Sequence, residues 1–152
     1  MPQLATNKQA LANYHLLEKI EAGIVLSGPE VKSVKKGNLN LKGSYVTIDS
    51  ASEAWLTNAH ISAYRPAAAH QIGYQPNQKR KLLLKQKEID YIRGKEKEHG
   101  LTILAISVYT KGSLIKLELA VARGKKQFDK RASIKKRELD RQIRRTLKNS
   151  RS

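Results

Sequence analysis

The chain has 152 residues and carries 30 Lys or Arg against 13 Asp or Glu, a formal net charge of +17. That length suits one domain with an extension, and so large an excess of one sign, which repels itself in a compact state, points to a polyanionic partner: nucleic acid first, an anionic membrane second. With no cysteine there is neither a disulfide nor a thiolate metal site, no apolar run approaches the ~20 residues that span a bilayer, and MPQLATNKQA lacks the apolar core of a signal peptide, so the expected place is the cytoplasm.

Residues 1–6 are expected to be flexible, with Asn7-Lys8 opening the body. Tyr14 to Ile20 reads as a strand with Tyr14, Leu16 and Ile20 on one face. Gly23 then supplies a bulge or turn before a short buried strand, Ile24-Val25-Leu26. Ser27 or Gly28 caps a short helix with Pro29 in its first turn, and Gly37 closes it. Val31 and Val34 face inward and Lys32, Lys35 and Lys36 outward. Tyr45 to Ile48 and Ala54 to Leu56 form a hairpin that His60-Ile61 extends. Residues 65–80 hold Pro66, Gly73 and Pro76 with little periodicity, a loop longer than a compact domain keeps without a purpose. Leu82 to Leu84 is either a buried strand or the first turn of a helix over Lys85 to Glu98, closed by Gly100; the pattern leaves both open.

The plainest strands come last. Leu104, Ile106 and Val108 alternate, Lys111-Gly112-Ser113 turns the chain, and Ile115, Leu117, Leu119 and Val121 alternate on the return. This predicts a long antiparallel hairpin with one buried face. Strands at this spacing, broken by two helices, predict a mainly β, α+β domain built on a small antiparallel barrel with an OB-like surface. The hairpin delivers the chain into Gly124 to Arg131, GKKQFDKR, where Lys125, Lys126, Lys130 and Arg131 surround Phe128. Clustered cations bind phosphate, and an aromatic among them offers a face for a base. Residues 123–152 carry 13 basic and three acidic residues. By charge, a globular body therefore runs to about residue 122 and a basic tail follows it.

Several stretches together resemble the small protein B (SmpB) family, the bacterial SsrA-binding proteins. They are Asn7-Lys8, Glu21-Ala22-Gly23-Ile24, Glu30-Val31-Lys32-Ser33, Asn40-Leu41 with Ser44-Tyr45, Asn58-Ala59-His60-Ile61, Arg80 to Leu84, and Gly124 to Arg131. The resemblance covers about residues 7–131, and the tail matches in character. It implies an OB-like antiparallel barrel with three helices that binds the tRNA-like domain of transfer-messenger RNA. It further implies that the protein, a monomer, stands in for the missing anticodon arm in the decoding site of a stalled ribosome. The tail would become a helix in the empty mRNA channel. Alanyl-tRNA synthetase and elongation factor Tu would be indirect partners, and no cofactor, metal or catalysis of its own is implied.

By the same resemblance, the residues meeting RNA are Asn7, Lys8, Glu21, Lys32, Arg80, Lys81, Leu83, Lys125, Lys126, Phe128, Lys130 and Arg131. Glu21 read alone is a partner for a nearby lysine, Asn7 a turn residue, and Leu82 to Leu84 mostly buried core; the resemblance leaves open which of the three leucines also packs against RNA. In the tail, Lys135, Lys136, Arg137, Arg141, Ile143, Arg144, Arg145 and Leu147 would contact the ribosome. Leu139, Ile143 and Leu147 recur every four residues there, and Asp140 and Arg144 form an i,i+4 pair, the pattern of a helix over about residues 134–147. The sequence departs from the family at Pro76 to Lys79, where arginine and proline are common, and at Gly43, Ala105 and Phe128. The last of these keeps an aromatic face but lacks a polar group. An enzyme is disfavoured, because His15, His60, His70 and His99 are scattered and no phosphate-cradling glycine loop is present. A general ribosomal or initiation protein of OB type is the other alternative. Membrane insertion is weakest, because the tail lacks bulky aromatics.

Overall fold

The computed structural model describes residues 3–66 and 71–124. Within them the elements run β1 (Gln3–Thr6), α1 (Lys8–Asn13), β2 (Tyr14–Ile24), α2 (Gly28–Lys35), β3 (Leu39–Asn40) and β4 (Tyr45–Ile48). They continue through β5 (Ala54–Thr57), β6 (His60–Ile61), β7 (Arg80–Leu83), α3 (Gln86–Glu96), β8 (Leu101–Lys111) and β9 (Leu114–Gly124). Seven strands pair antiparallel in the order β1-β8-β4-β5-β7-β2-β9, and β8 also pairs with β9, so the pairing returns on itself. This is the mainly antiparallel, OB-like α+β architecture that the strand spacing predicts.

The β8–β9 hairpin is the frame. Its strands pair from Leu101↔Arg123 to Lys111↔Leu114 across a two-residue turn at Gly112-Ser113, where Gly112 takes φ +63°. It is buried on both faces rather than one. Ile103, Ala105, Val108, Leu117, Leu119 and Val121 lie in the main core. Leu104, Ile106, Ala120 and Ala122 lie with Ala10 in a second cluster under α1. A register shift between Ala105 and Ser107 changes the phase of β8, so Leu104 and Ile106 do not share a face with Val108. A bulge adds one unpaired residue and reverses the faces beyond it.

β2 repeats this device. It is one strand over eleven residues, and the break placed at Gly23 is absent, because Gly23 pairs with both Leu83 and Lys116. The bulge falls between Leu16 and Glu18. Tyr14 and Leu16 consequently pack on the second cluster and Ile20 on the main core. Val25 lies beyond the strand and is exposed. Two further expectations are corrected. Residues 3–6 are ordered as β1 through pairing with Tyr109, Val108 and Ser107. His60-Ile61 does not extend β5 but pairs with Leu39-Asn40 in a separate two-stranded sheet.

The helices follow their caps. The Ser27 side chain accepts from Glu30 N–H at 3.3 Å while a Glu30 oxygen accepts from Ser27 N–H at 3.1 Å, a reciprocal cap with Pro29 in the first turn. The apolar run before α3 is resolved as strand: Leu82 is buried and pairs with Ala54 and Ile24.

Candidate nucleic-acid interface

Four strands bring one set of side chains to a common face. Glu21 and Gly23 lie two apart on β2, with Glu118 and Lys116 of β9 opposite them. Tyr109 of β8 pairs with Lys116, and Leu83 of β7 sits across from Gly23. Alternation puts residues two apart on the same side of a strand. Glu21, Leu83, Tyr109 and Lys116 therefore share one surface, with Lys111 at its edge.

Leu83 is 56% exposed between the buried Leu82 and the partly buried Leu84. The three leucines are not equivalent, and strand geometry selects Leu83 as the one that faces outward. Gly23 makes room for it: a Cβ on Gly23 would lie 3.2 Å from the Leu83 Cβ. Exposed Leu114, in the same neighbourhood, lines a shallow groove of about 280 Å³ with Gly23, Leu26, Val31 and Leu83.

Glu21 is a prearranged acceptor. One carboxylate oxygen accepts from the Tyr109 hydroxyl, and the other lies 3.4 Å from the Lys111 ammonium. The Tyr109 hydrogen bond, then Lys111, hold its carboxyl below the ordinary value. Burial and Glu21 push the Tyr109 hydroxyl up, so at neutral pH the tyrosine is a donor and the glutamate an anion. The lysine partner anticipated for Glu21 is there, and the tyrosine is an addition. Tyr109, Lys111 and Lys116 are absent from the sequence-based set. Their signal was the outward alternation of polar residues in the hairpin, against which only the apolar positions were read.

Other residues from that set are placed differently. Lys8 and Lys32 are exposed, and Lys81 is half-buried with its ammonium 3.3 Å from Glu53. Asn7 and Arg80 are buried, and their polar atoms are bonded within the protein. The Asn7 carboxamide donates to the carbonyls of Leu41 at 3.1 Å and Ala105 at 2.9 Å, and accepts from Ala10 N–H at 3.0 Å. It caps α1. Arg80 is 2% exposed. It donates to one Glu30 oxygen from Nε at 3.0 Å and Nη2 at 2.8 Å, and to the Ala59 carbonyl at 2.7 Å. The Tyr74 hydroxyl joins the same Glu30 oxygen at 3.0 Å. Burial, then Glu30, push that hydroxyl up to about 12. This network fastens α2 to β7 and to the loop before it. Lys125, Lys126, Phe128, Lys130, Arg131 and the eight tail residues lie outside the described residues. Among the described residues, no cluster of three His, Asp or Glu could hold a metal ion, and no helix is long and apolar enough to cross a membrane.

A family model described as SmpB protein matches residues 4–149 of the chain. The chain belongs to the SmpB family. Its SmpB relatives include the SsrA-binding protein of Sulfurihydrogenibium sp. (strain YO3AOP1), 49% identical and covering 95% of this chain and 93% of that one. That of Persephonella marina is 46% identical over 92% and 90% of the two chains. That of Rubrobacter xylanophilus is 45% identical over 97% of each. Among solved structures, a chain from "tmRNA-SmpB: a journey to the center of the bacterial ribosome" superposes with a TM-score of 0.66 at 35% identity, covering 79% of this chain and 82% of that one. The SmpB match runs through GKKQFDKR and most of the basic tail.

Proposed function

We propose that this SmpB-family chain binds the tRNA-like domain of transfer-messenger RNA and takes it to stalled ribosomes for trans-translation. The observation that carries this reading is the match to SsrA-binding proteins across nearly the whole chain. The geometry supplies a means. Leu83 and Leu114 offer apolar contact to an unstacked base. Ionised Glu21, held by Tyr109 and Lys111, accepts hydrogen bonds from base amino groups or ribose hydroxyls. Lys116 and the surrounding cations meet phosphate. Shape-led RNA recognition uses such contacts and needs no catalytic group.

In this reading the chain is a monomeric cytoplasmic binding factor, and the chemistry belongs to its partners. Alanyl-tRNA synthetase charges the RNA and elongation factor Tu carries it. The barrel replaces the anticodon arm in the decoding site, and the basic tail enters the empty mRNA channel as a helix. The test is to recover the RNA bound to the full chain in cells. Enrichment of one transfer-messenger RNA, with the protein on stalled ribosomes, is expected. Even residence on all translating ribosomes without that RNA would replace this reading with a general ribosomal one.

A further inference from the structure

On the connection between β6 and β7, residues 61–64 are held in place from several directions. The Gln71 side chain clasps the Tyr64 backbone, accepting from its N–H at 3.0 Å and donating to its carbonyl at 2.6 Å. Ser33 Oγ of α2 donates to the Ser62 carbonyl at 2.6 Å, and Ser62 N–H donates to the Asn38 carbonyl at 3.1 Å. The Tyr74 hydroxyl, seated on the buried Glu30–Arg80 pair, lies 2.9 Å from the Ile61 carbonyl. These bonds present the Tyr64 ring to the outer face of α2. There the Lys36 ammonium lies 5.0 Å and the Lys32 ammonium 5.6 Å from its centroid. Beside the ring, a cavity of about 290 Å³ is lined by Lys36, Asn38, Ser62, Tyr64, Arg65 and Pro66.

The charge here is unbalanced. Among the described residues, no acid lies within ion-pair distance of Lys32, Lys35, Lys36 or Arg65. Lys32 and Lys36 are like charges at i,i+4, an arrangement that destabilises a helix. The helix dipole favours cations at Lys35 and Lys36. It does not account for a loop fastened so as to add an aromatic ring and an arginine to the same spot.

We propose that Tyr64, Lys32, Lys36 and Arg65 form a binding site for one unpaired RNA nucleotide, sharing no residue with the Glu21–Leu83 face. This rests on the reading that the chain binds RNA. In the free protein the ring face holds the ammonium groups through its quadrupole. A phosphodiester is the stronger partner for them, so they shift to its oxygens and leave the ring for the base. Stacking on a tyrosine face tolerates any base, so the site adds affinity without reading sequence.

The test uses the full chain and its Tyr64→Leu, Tyr64→Phe and Lys36→Gln variants, titrated over a salt series. Transfer-messenger RNA and the small ribosomal subunit are separate probes. Lys36→Gln is expected to reduce the slope of log K against log salt by about 0.7, one single-strand phosphate. Tyr64→Leu is expected to weaken binding about tenfold with the slope unchanged, and Tyr64→Phe to bind as the parent. The probe on which the losses appear identifies the source of the nucleotide. Parental affinity and slope in both Tyr64→Leu and Lys36→Gln on both probes overturn the site. Failure of the parent to bind either probe instead strikes the RNA-binding reading beneath it. If circular dichroism shows Tyr64→Leu misfolded, the Lys36→Gln slope decides alone.

Discussion

Glu30 and Glu21 show how one charged residue type serves two ends, and burial separates them. Arg80 and Glu30 are 2% and 3% exposed and paired at 2.8 Å. Removing one partner leaves the other as an uncompensated buried charge. Arg80→Met is therefore expected to cost about 3–5 kcal/mol, read from the urea midpoint. Burial alone would raise the Glu30 carboxyl, but Ser27 N–H, Arg80 and Tyr74 outweigh it and hold the group below its ordinary value. A depressed carboxyl binds fewer protons folded than unfolded. Its contribution is thus complete above the ordinary glutamate range of about 4.3 and is lost as pH falls through the lower folded value. Unfolding midpoints measured downward from neutral pH should show this loss in the parent and a shallower one in Glu30→Gln. Glu21 is exposed, and its role is at the surface. Glu21→Lys raises the positive charge, so electrostatics alone predicts tighter RNA binding. If the carboxylate accepts RNA donors, affinity for the tRNA-like domain falls instead, by about tenfold, while binding to unrelated duplex RNA does not. Equal or tighter binding to the tRNA-like domain would reduce Glu21 to a surface acid.

At the scale of elements, legibility followed the length of the pattern. The β8–β9 hairpin, the β4–β5 hairpin and the cap of α2 were readable, because alternation, turn residues and the Ser-Gly-Pro-Glu start all act locally. The two bulges were not. Tyr14, Leu16 and Ile20 look like one face until the shift at Leu17 divides them between two clusters. No residue type marks such a shift, since the partner strand imposes it. Helix α1 spans only six residues, too few to show a period, and its buried contact is Ala10 against Ala120 and Ala122. Of the candidate site, Glu21 and one leucine of Leu82 to Leu84 were named through the family resemblance, with the leucine left open. That they share a face, and that Tyr109 holds Glu21, depended on register across four strands. Arg80 was ambiguous in sequence, because an arginine beside an apolar run looks the same whether its partner is a phosphate or a buried glutamate; the structure shows the glutamate. Gly23 gives this scale its prediction. A methyl there presses on Leu83 from 3.2 Å, so the leucine must move by a few tenths of an ångström. Gly23→Ala should fold and still lose affinity for the tRNA-like domain. Its effect should be non-additive with Leu83→Ala, because both act through one contact. Additive losses in the double mutant would separate the glycine from the leucine.

For the molecule as a whole, the question is which part of the charge does which work. Of the net +17, residues 123–152 contribute +10. A polycation of that density binds any RNA through counterion release, so charge alone would assign RNA binding to the tail. The Glu21–Leu83 face argues for a division of labour, because among the described residues it gathers the acceptor and apolar groups proposed for one particular RNA within the strands. Truncation after Arg131 should therefore lower general RNA affinity and steepness in salt, leave preference for the tRNA-like domain nearly intact, and abolish tagging on stalled ribosomes. The tail's part then turns on form as much as charge. Leu139, Ile143 and Leu147 recur every four residues among its cations, which a helix would gather into one apolar seam. Ile143→Pro keeps every charge and costs a helix about 3 kcal/mol. If the proposed helix forms in the mRNA channel, this variant should bind transfer-messenger RNA like the parent and fail in tagging, as the truncation does. Full tagging by Ile143→Pro would mean that tail charge suffices and that no helix is needed.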